Sequence, residues 1–211
     1  MIKACVESTN ANRKFIEITT KGTETKEFAA ENESIEVPDK KVYRYREWTL
    51  DNRIKVVVRS EIDAYVKEGE NTNFVKVCAF NEFQSQQGGW KANYELNRGA
   101  MISAEIRNNL SKVCRWLCQA FLADCNQFKL GFVTKVNPKE NKHQILTVED
   151  MSTTTLSNTI NFRLKDTWSI VKTISDLLIK QEDGAYAFVK SPYKQSLRIY
   201  KVPEKEEKED Y

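Results

Sequence analysis

Histidine is nearly absent from this chain, with His143 the single one in 211 residues. One imidazole cannot build a histidine-rich zinc centre, and the five cysteines contain no Cys-x-x-Cys pair, so a structural zinc site is disfavoured. A catalytic triad on His143 has no support either, because it lies in the polar stretch 137–144, which reads as a turn. The cysteines are odd in number and irregular in spacing, which argues against a disulfide framework. Cys114 and Cys118 fall one helical turn apart among apolar neighbours, as buried free thiols do, and this suits a reducing compartment. No apolar run approaches the length that crosses a membrane, and no signal peptide opens the sequence. The expectation is a cytoplasmic protein with no membrane partner, no metal and no cofactor.

What is present is an ordinary soluble composition, 40% hydrophobic and 30% charged, in a length that suits one domain with a substantial core. The net charge of +3 is the balance of −3 on the last eight residues and +6 on residues 1–203. Such a body tolerates a polyanionic partner without demanding one.

Hydrophobic periodicity predicts a short helix over 9–18 and a polar loop over 19–41. Strands are predicted over 42–50, 53–67, 73–83 and 100–107, with a loop over 84–98 containing Gly88-Gly89-Trp90. A helix over 109–123 carries Leu110, Val113, Cys114, Leu117, Cys118 and Phe121 on one stripe, with Asn108 or Asn109 as N-cap. Strands over 127–136 and 144–149 follow, joined through Asn137-Pro138-Lys139. A second helix over 163–181 is expected to bury Leu164, Trp168, Val171, Ile174 and Leu178, and a hairpin pairs 185–190 with 196–202. The fold class is α+β and strand-rich, with mixed or antiparallel sheets and two main helices packed outside. No repeat or boundary divides it, so residues 1–203 read as a single domain and 204–211 as an acidic, disordered tail.

Two charged strings share one design: Glu61-Ile62-Asp63 and Glu105-Ile106-Arg107 each set charges either side of an isoleucine. In the first run Ile54, Val56, Val58 and Ile62 share one parity, and Lys55, Arg59, Glu61 and Asp63 the other. If the two runs were neighbouring strands, three carboxylates and the guanidiniums of Arg59 and Arg107 would crowd one polar face. That face could be a divalent-metal site, a disabled one, or a cluster of ion pairs. Charge counting favours pairing, because the arginines supply permanently the cation that magnesium would otherwise provide. Among aromatic residues Trp116 and Trp168 read as core and Trp48, Tyr43 and Tyr45 as packing; Trp90 is the best candidate for stacking, although a loop tryptophan is more often pinned to its own domain.

These strings also carry a resemblance. Arg98-Gly99-Ala100, Glu105-Ile106-Arg107-Asn108-Asn109, Arg115-Trp116 and Leu130-Gly131-Phe132-Val133 stand in one order. Upstream, Tyr43-Arg44-Tyr45-Arg46 with Trp48, and then Arg59-Ser60-Glu61-Ile62-Asp63, precede them. On these residues the chain resembles the cap-binding domain found in the d-type subunits of eukaryotic translation initiation factor three, over 42–202 and more weakly over 1–20. The resemblance implies a fold like that of the decapping nucleases, with sheets cupped together. Those nucleases use Glu-x-Asp and Glu-x-Lys to hold divalent metals, which activate water and stabilise the phosphoryl transition state. Glu61, Asp63 and Glu105 match the acidic positions, while Arg107 replaces the lysine with a group that keeps its proton near neutral pH. Thr9, Asn12 and Phe15 fit a Thr-x-x-Asn-x-x-Phe helix that faces RNA in the family.

The resemblance therefore implies a non-enzymatic RNA-binding component of the translation initiation factor three complex. Its implied partners are the mRNA 5′ cap region, the other subunits of the factor and the small ribosomal subunit. The implied RNA-binding residues are Thr9, Asn12, Arg13, Arg59, Glu61, Asp63, Glu105 and Arg107. Family members carry a long stretch before the point matching Met1, including part of the cap pocket. Residues 1–203 therefore read as a single cap-binding-like domain that is either a divergent compact version, a fragment, or the product of an incomplete gene model. Two alternatives stay open: a scaffold subunit that has lost cap binding, and a metal-dependent decapping nuclease.

Overall fold

The computed structural model describes residues 2–20, 42–82, 89–137 and 142–203. It divides into two compact units, residues 1–164 and 165–211. The first unit opens with α1 (Ile2–Thr19), followed by the antiparallel pair β1 (Val42–Thr49) and β2 (Lys55–Ile62). A second sheet has the order β3 (Ala64–Glu68), β4 (Asn71–Asn81), β5 (Cys125–Lys135), β6 (His143–Ser152). β4 and β5 run parallel, and the outer pairs run antiparallel. Parallel neighbours need a long crossover. Here α2 (Gly89–Asn108) and α3 (Leu110–Ala123) supply it, and the short α4 (Thr153–Thr159) follows β6.

Both faces of the central strands are covered, which is why 77–80 and 130–133 read as near-continuous apolar runs rather than as alternation. Cys78, Phe80, Phe128, Leu130 and Phe132 face the larger core, with Ile106, Val113, Trp116, Leu117 and Leu156 from the helices. Val75, Val77, Ala79 and Val133 face Ala11 and Phe15 of α1 on the other side. The ring of Phe15 lies so close over Gly131 that a Cβ there would come within 2.4 Å of it. Only glycine admits α1 at this depth.

α3 buries Val113, Trp116, Leu117, Ala120 and Ala123 and ends at Asp124, which is left-handed at φ 60°. Its last carbonyls are met by the small β1–β2 sheet. Arg44 Nη1 donates to the Ala123 carbonyl at 3.2 Å and Arg46 Nη1 to that of Phe121 at 3.0 Å. Both guanidiniums also pair with Asp124, at 3.1 and 3.7 Å. Cations at a helix C-terminus complement its dipole and its orphan carbonyls. The second unit holds most of α5 (Leu164–Leu178) and the hairpin β7 (Ala185–Lys190) and β8 (Leu197–Val202). No residue from 165 to 203 is buried.

The α+β class stands, with a mixed sheet at its centre and five helices among the described residues rather than two main ones. Residues 100–107 are not a strand; they form the second half of α2. The predicted loop is helical from residue 89, and 84–88 lie outside the described residues. The predicted strand 53–67 breaks at Asp63, and its halves join different sheets. His143 begins β6 instead of occupying a turn. Leu164, Trp168, Val171, Ile174 and Leu178 of α5 are half-buried, not buried. The helix at 9–18 extends to 2–19, and the predicted loop beyond residue 20, Pro138-Lys139 and the tail at 204–211 fall outside the described residues.

Candidate nucleic-acid interface

The eight residues singled out by sequence all lie in the first unit, and they divide sharply by exposure. Thr9 and Arg13 are exposed on α1, Arg59 and Glu61 on the outer face of β2, and Arg107 on α2. Asn12, Asp63 and Glu105 are turned inward, and each is held by the fold.

Asp63 occupies the break between β2 and β3, where its Oδ2 accepts from the Val77 amide at 3.0 Å and pairs with Lys76 Nζ at 2.8 Å. The side chains of Asp63 and Lys76 retain only 8% and 11% exposure, so this is a buried ion pair. Burial opposes the Lys76 charge, yet the adjacent carboxylate more than offsets it and holds the ammonium above the usual lysine range. Asn12 acts in the same way: its Oδ1 accepts from the Ala79 amide at 2.7 Å. Lys112 Nζ donates to the Ala79 carbonyl at 3.2 Å while lying 5.0 Å from the centre of the Trp116 ring. β3 pairs with β4 only as far as Val75. Asp63, Asn12 and Lys112 thus replace the missing strand along the remainder of that edge.

Glu105 belongs to a different constellation. It accepts from Trp90 Nε1 at 3.2 Å and from Asn109 Nδ2 at 3.3 Å. Glu82, which sequence reasoning missed, accepts from the Trp90 amide at 2.7 Å and from the Thr134 hydroxyl. Two carboxylates therefore clasp one tryptophan, which is only 7% exposed and is not a free stacking surface. Burial, with the charge of Glu82 adding to it, pushes the Glu105 carboxyl above the usual carboxylate range against the pull of its hydrogen bonds. The nearby cleft of about 290 Å³ lies in the crook of α2, where Asn97 is non-helical and its Oδ1 caps the Ala100 amide at 3.0 Å.

The strand-to-strand meeting of the two charged tripeptides does not occur, because Glu105 and Arg107 are on a helix. Among the described residues no three acidic, cysteine or histidine side chains gather in a way that could hold a metal ion. Arg59 stacks over the Tyr43 ring at 4.8 Å on the exposed face of the β1–β2 sheet, where Tyr45 is 65% exposed. Trp48 packs under Arg46, while Tyr43 and Tyr45 face outward.

A groove of about 470 Å³ runs between α1 and the β5–β6 edge, lined by Val6, Phe15, Ile18, Val133 and Ile145. Its polar end is the Glu7 carboxylate, 2.9 Å from both Lys135 Nζ and His143 Nε2. The hydrogen bond from Lys135 leads the forces that hold Glu7 below the usual carboxylate range. Neither partner was visible in the sequence, since both lie on strands far along the chain from α1.

Comparison with known proteins places these features in a family. The family profile described as eukaryotic translation initiation factor 3 subunit 7 (eIF-3) matches residues 2–201. The D-type subunit of eukaryotic translation initiation factor 3 from Pyricularia oryzae is 39% identical, over 81% of this chain and 32% of its own length. Its counterpart from Arabidopsis thaliana is 36% identical over 89% of this chain and 32% of its own. The D-1 form from Drosophila grimshawi is 35% identical over 86% and 33%. The chain spans about a third of the length of these relatives.

Proposed function

This chain belongs to the eukaryotic translation initiation factor 3 subunit 7 family, and we propose that it is a non-catalytic, RNA-engaging component of that multi-subunit factor. On this reading it works in the cytoplasm and meets the capped 5′ end of mRNA at the small ribosomal subunit. The observation that carries the proposal is the family match across residues 2–201, which takes in the exposed Thr9, Arg13, Arg59 and Arg107. The fate of the acidic residues supports a non-catalytic role. Metal-dependent phosphoryl chemistry needs carboxylates that converge on one ion. Asp63 is given to Lys76 and the Val77 amide, and Glu105 to Trp90 and Asn109.

The same inward commitment of Asn12, Asp63 and Glu105 favours a second reading, a scaffold that docks within the factor without reading the cap. Titration of the chain with a methylated cap analogue against an unmethylated guanine nucleotide separates the two. The cap reading expects tighter binding of the methylated ligand, and equal or absent affinity would transfer the chain to the scaffold role. Capped RNA incubated with magnesium or manganese should stay uncleaved under either.

A further inference from the structure

We propose that the β7–β8 hairpin is a binding surface for unpaired RNA, distinct from the candidate residues of the first unit. The inference rests on the RNA-engaging reading above and adds a site to it. From Ala185 to Pro203 the chain carries Lys190, Lys194, Arg198 and Lys201 and no acidic residue. The same stretch contains Tyr186, Phe188, Tyr193 and Tyr200, of which Phe188 is 41%, Tyr193 95% and Tyr200 48% exposed.

The register puts these groups to use. Val189 opposes Arg198 and Ala187 opposes Tyr200, so the Arg198 guanidinium and the Tyr200 ring stand on one face, two residues apart along β8. In the turn, the exposed Tyr193 sits next to Lys194. Lys201 is engaged by Glu182 at 2.6 Å, and Lys190 Nζ donates to the turn carbonyls of Ser191 and Lys194 at 2.9 Å. Those two lysines stabilise the hairpin. Arg198 and Lys194 have no acidic partner among the described residues and are the groups offered to a ligand.

Single-sign charge interleaved with exposed rings is the pattern that grips single-stranded nucleic acid, with cations on the phosphates and rings under the bases. A protein-docking face is built differently. Its centre is depleted of lysine and its apolar groups form one continuous patch. On this hairpin the exposed Tyr193 adjoins Lys194 and the exposed Tyr200 shares a face with Arg198, whereas Phe188 pairs with Ile199 on the opposite face.

The test is fluorescence anisotropy of a labelled, unstructured, uncapped RNA oligonucleotide against the whole chain, repeated across a salt series. Lys194→Gln/Arg198→Gln should weaken binding roughly tenfold or more and flatten the dependence of log affinity on log salt by about 2. Tyr193→Ala/Tyr200→Ala should also weaken it about tenfold while leaving the salt slope in place. All four side chains are exposed, and an unchanged circular dichroism spectrum checks that the fold is kept. If both variants bind as the parent does, the hairpin is not the site, and the cap titration still decides the broader reading. A parent chain that binds neither capped nor uncapped RNA overturns both. Variants that keep RNA affinity but lose association with other subunits of the factor make the hairpin a protein interface, which also overturns the proposal.

Discussion

Glu105 shows how one residue can carry a strained charge for the sake of a neighbour. Its carboxylate receives the Trp90 indole and the Asn109 amide, yet it is half-buried and close to Glu82. Because its folded-state pKa is raised, the folded chain binds this proton more tightly than the unfolded chain does. The stability tied to it is therefore complete below the unfolded pKa and is lost as pH rises through the folded one. Glu105→Gln keeps an oxygen for Trp90 and removes the charge. Thermal melts should show the variant at least as stable as the parent at about pH 7, with its advantage shrinking towards about pH 4. A variant that loses stability at about pH 7, with the loss fading towards about pH 4, would mean that Glu105 is stabilising as an anion. The sequence could mark Glu105 as a residue of interest, but not its surroundings. Trp90 is fifteen positions away and Glu82 lies just past the end of β4, before the crossover that holds the other two, so no local pattern announces their meeting.

At the scale of elements, β4 is held by substitutes for a strand. An amide left without a partner inside the protein costs about 1–3 kcal/mol. Asn12→Ala should therefore destabilise the chain by about that amount and speed hydrogen exchange at the Ala79 amide, whereas Asn12→Asp, which keeps an acceptor, should lose less. Exchange at Ala79 unaltered by the alanine variant would remove Asn12 from this role. The elements themselves were legible where periodicity was long and unambiguous. The helix α3 and the pairing of β7 with β8 could be read directly from the residues. The buried stripe of α3, however, runs through Val113, Trp116, Leu117, Ala120 and Ala123, leaving Leu110 exposed and Cys114, Cys118 and Phe121 only half-buried. The second half of α2 could not. Ile102 and Ile106 satisfy strand alternation, but they are also one helical turn apart, and the alanines at 100 and 104 fit either pattern. With Met101 and Ile102 buried side by side, the helical period is the one the core uses. The break at Asp63 was hidden for a related reason. Alternation survives on both sides of it, and only the tertiary ion pair with Lys76 shows that the chain changes sheets there.

For the whole molecule, stability is unevenly shared between the two units. Among the described residues the first contains every buried one, including the completely enclosed Val113, Leu117, Leu130 and Phe132. The second contains a helix and a two-stranded hairpin with no buried side chain from 165 to 203. A lone hairpin is marginal in water, and segments with few buried contacts open at free energies well below that of global unfolding. Native-state hydrogen exchange should therefore find the amides of β7 and β8 exchanging at least about a hundredfold faster than those of β4 and β5. Addition of unpaired RNA should then slow exchange selectively across 185–202, since a ligand stabilises the segment that its binding orders. Equal protection in the two sets of strands without RNA would show that the second unit draws stability from contacts beyond its own side chains. RNA that binds while leaving exchange at 185–202 untouched would locate the interface on the first unit, beside Arg13, Arg59 and Arg107.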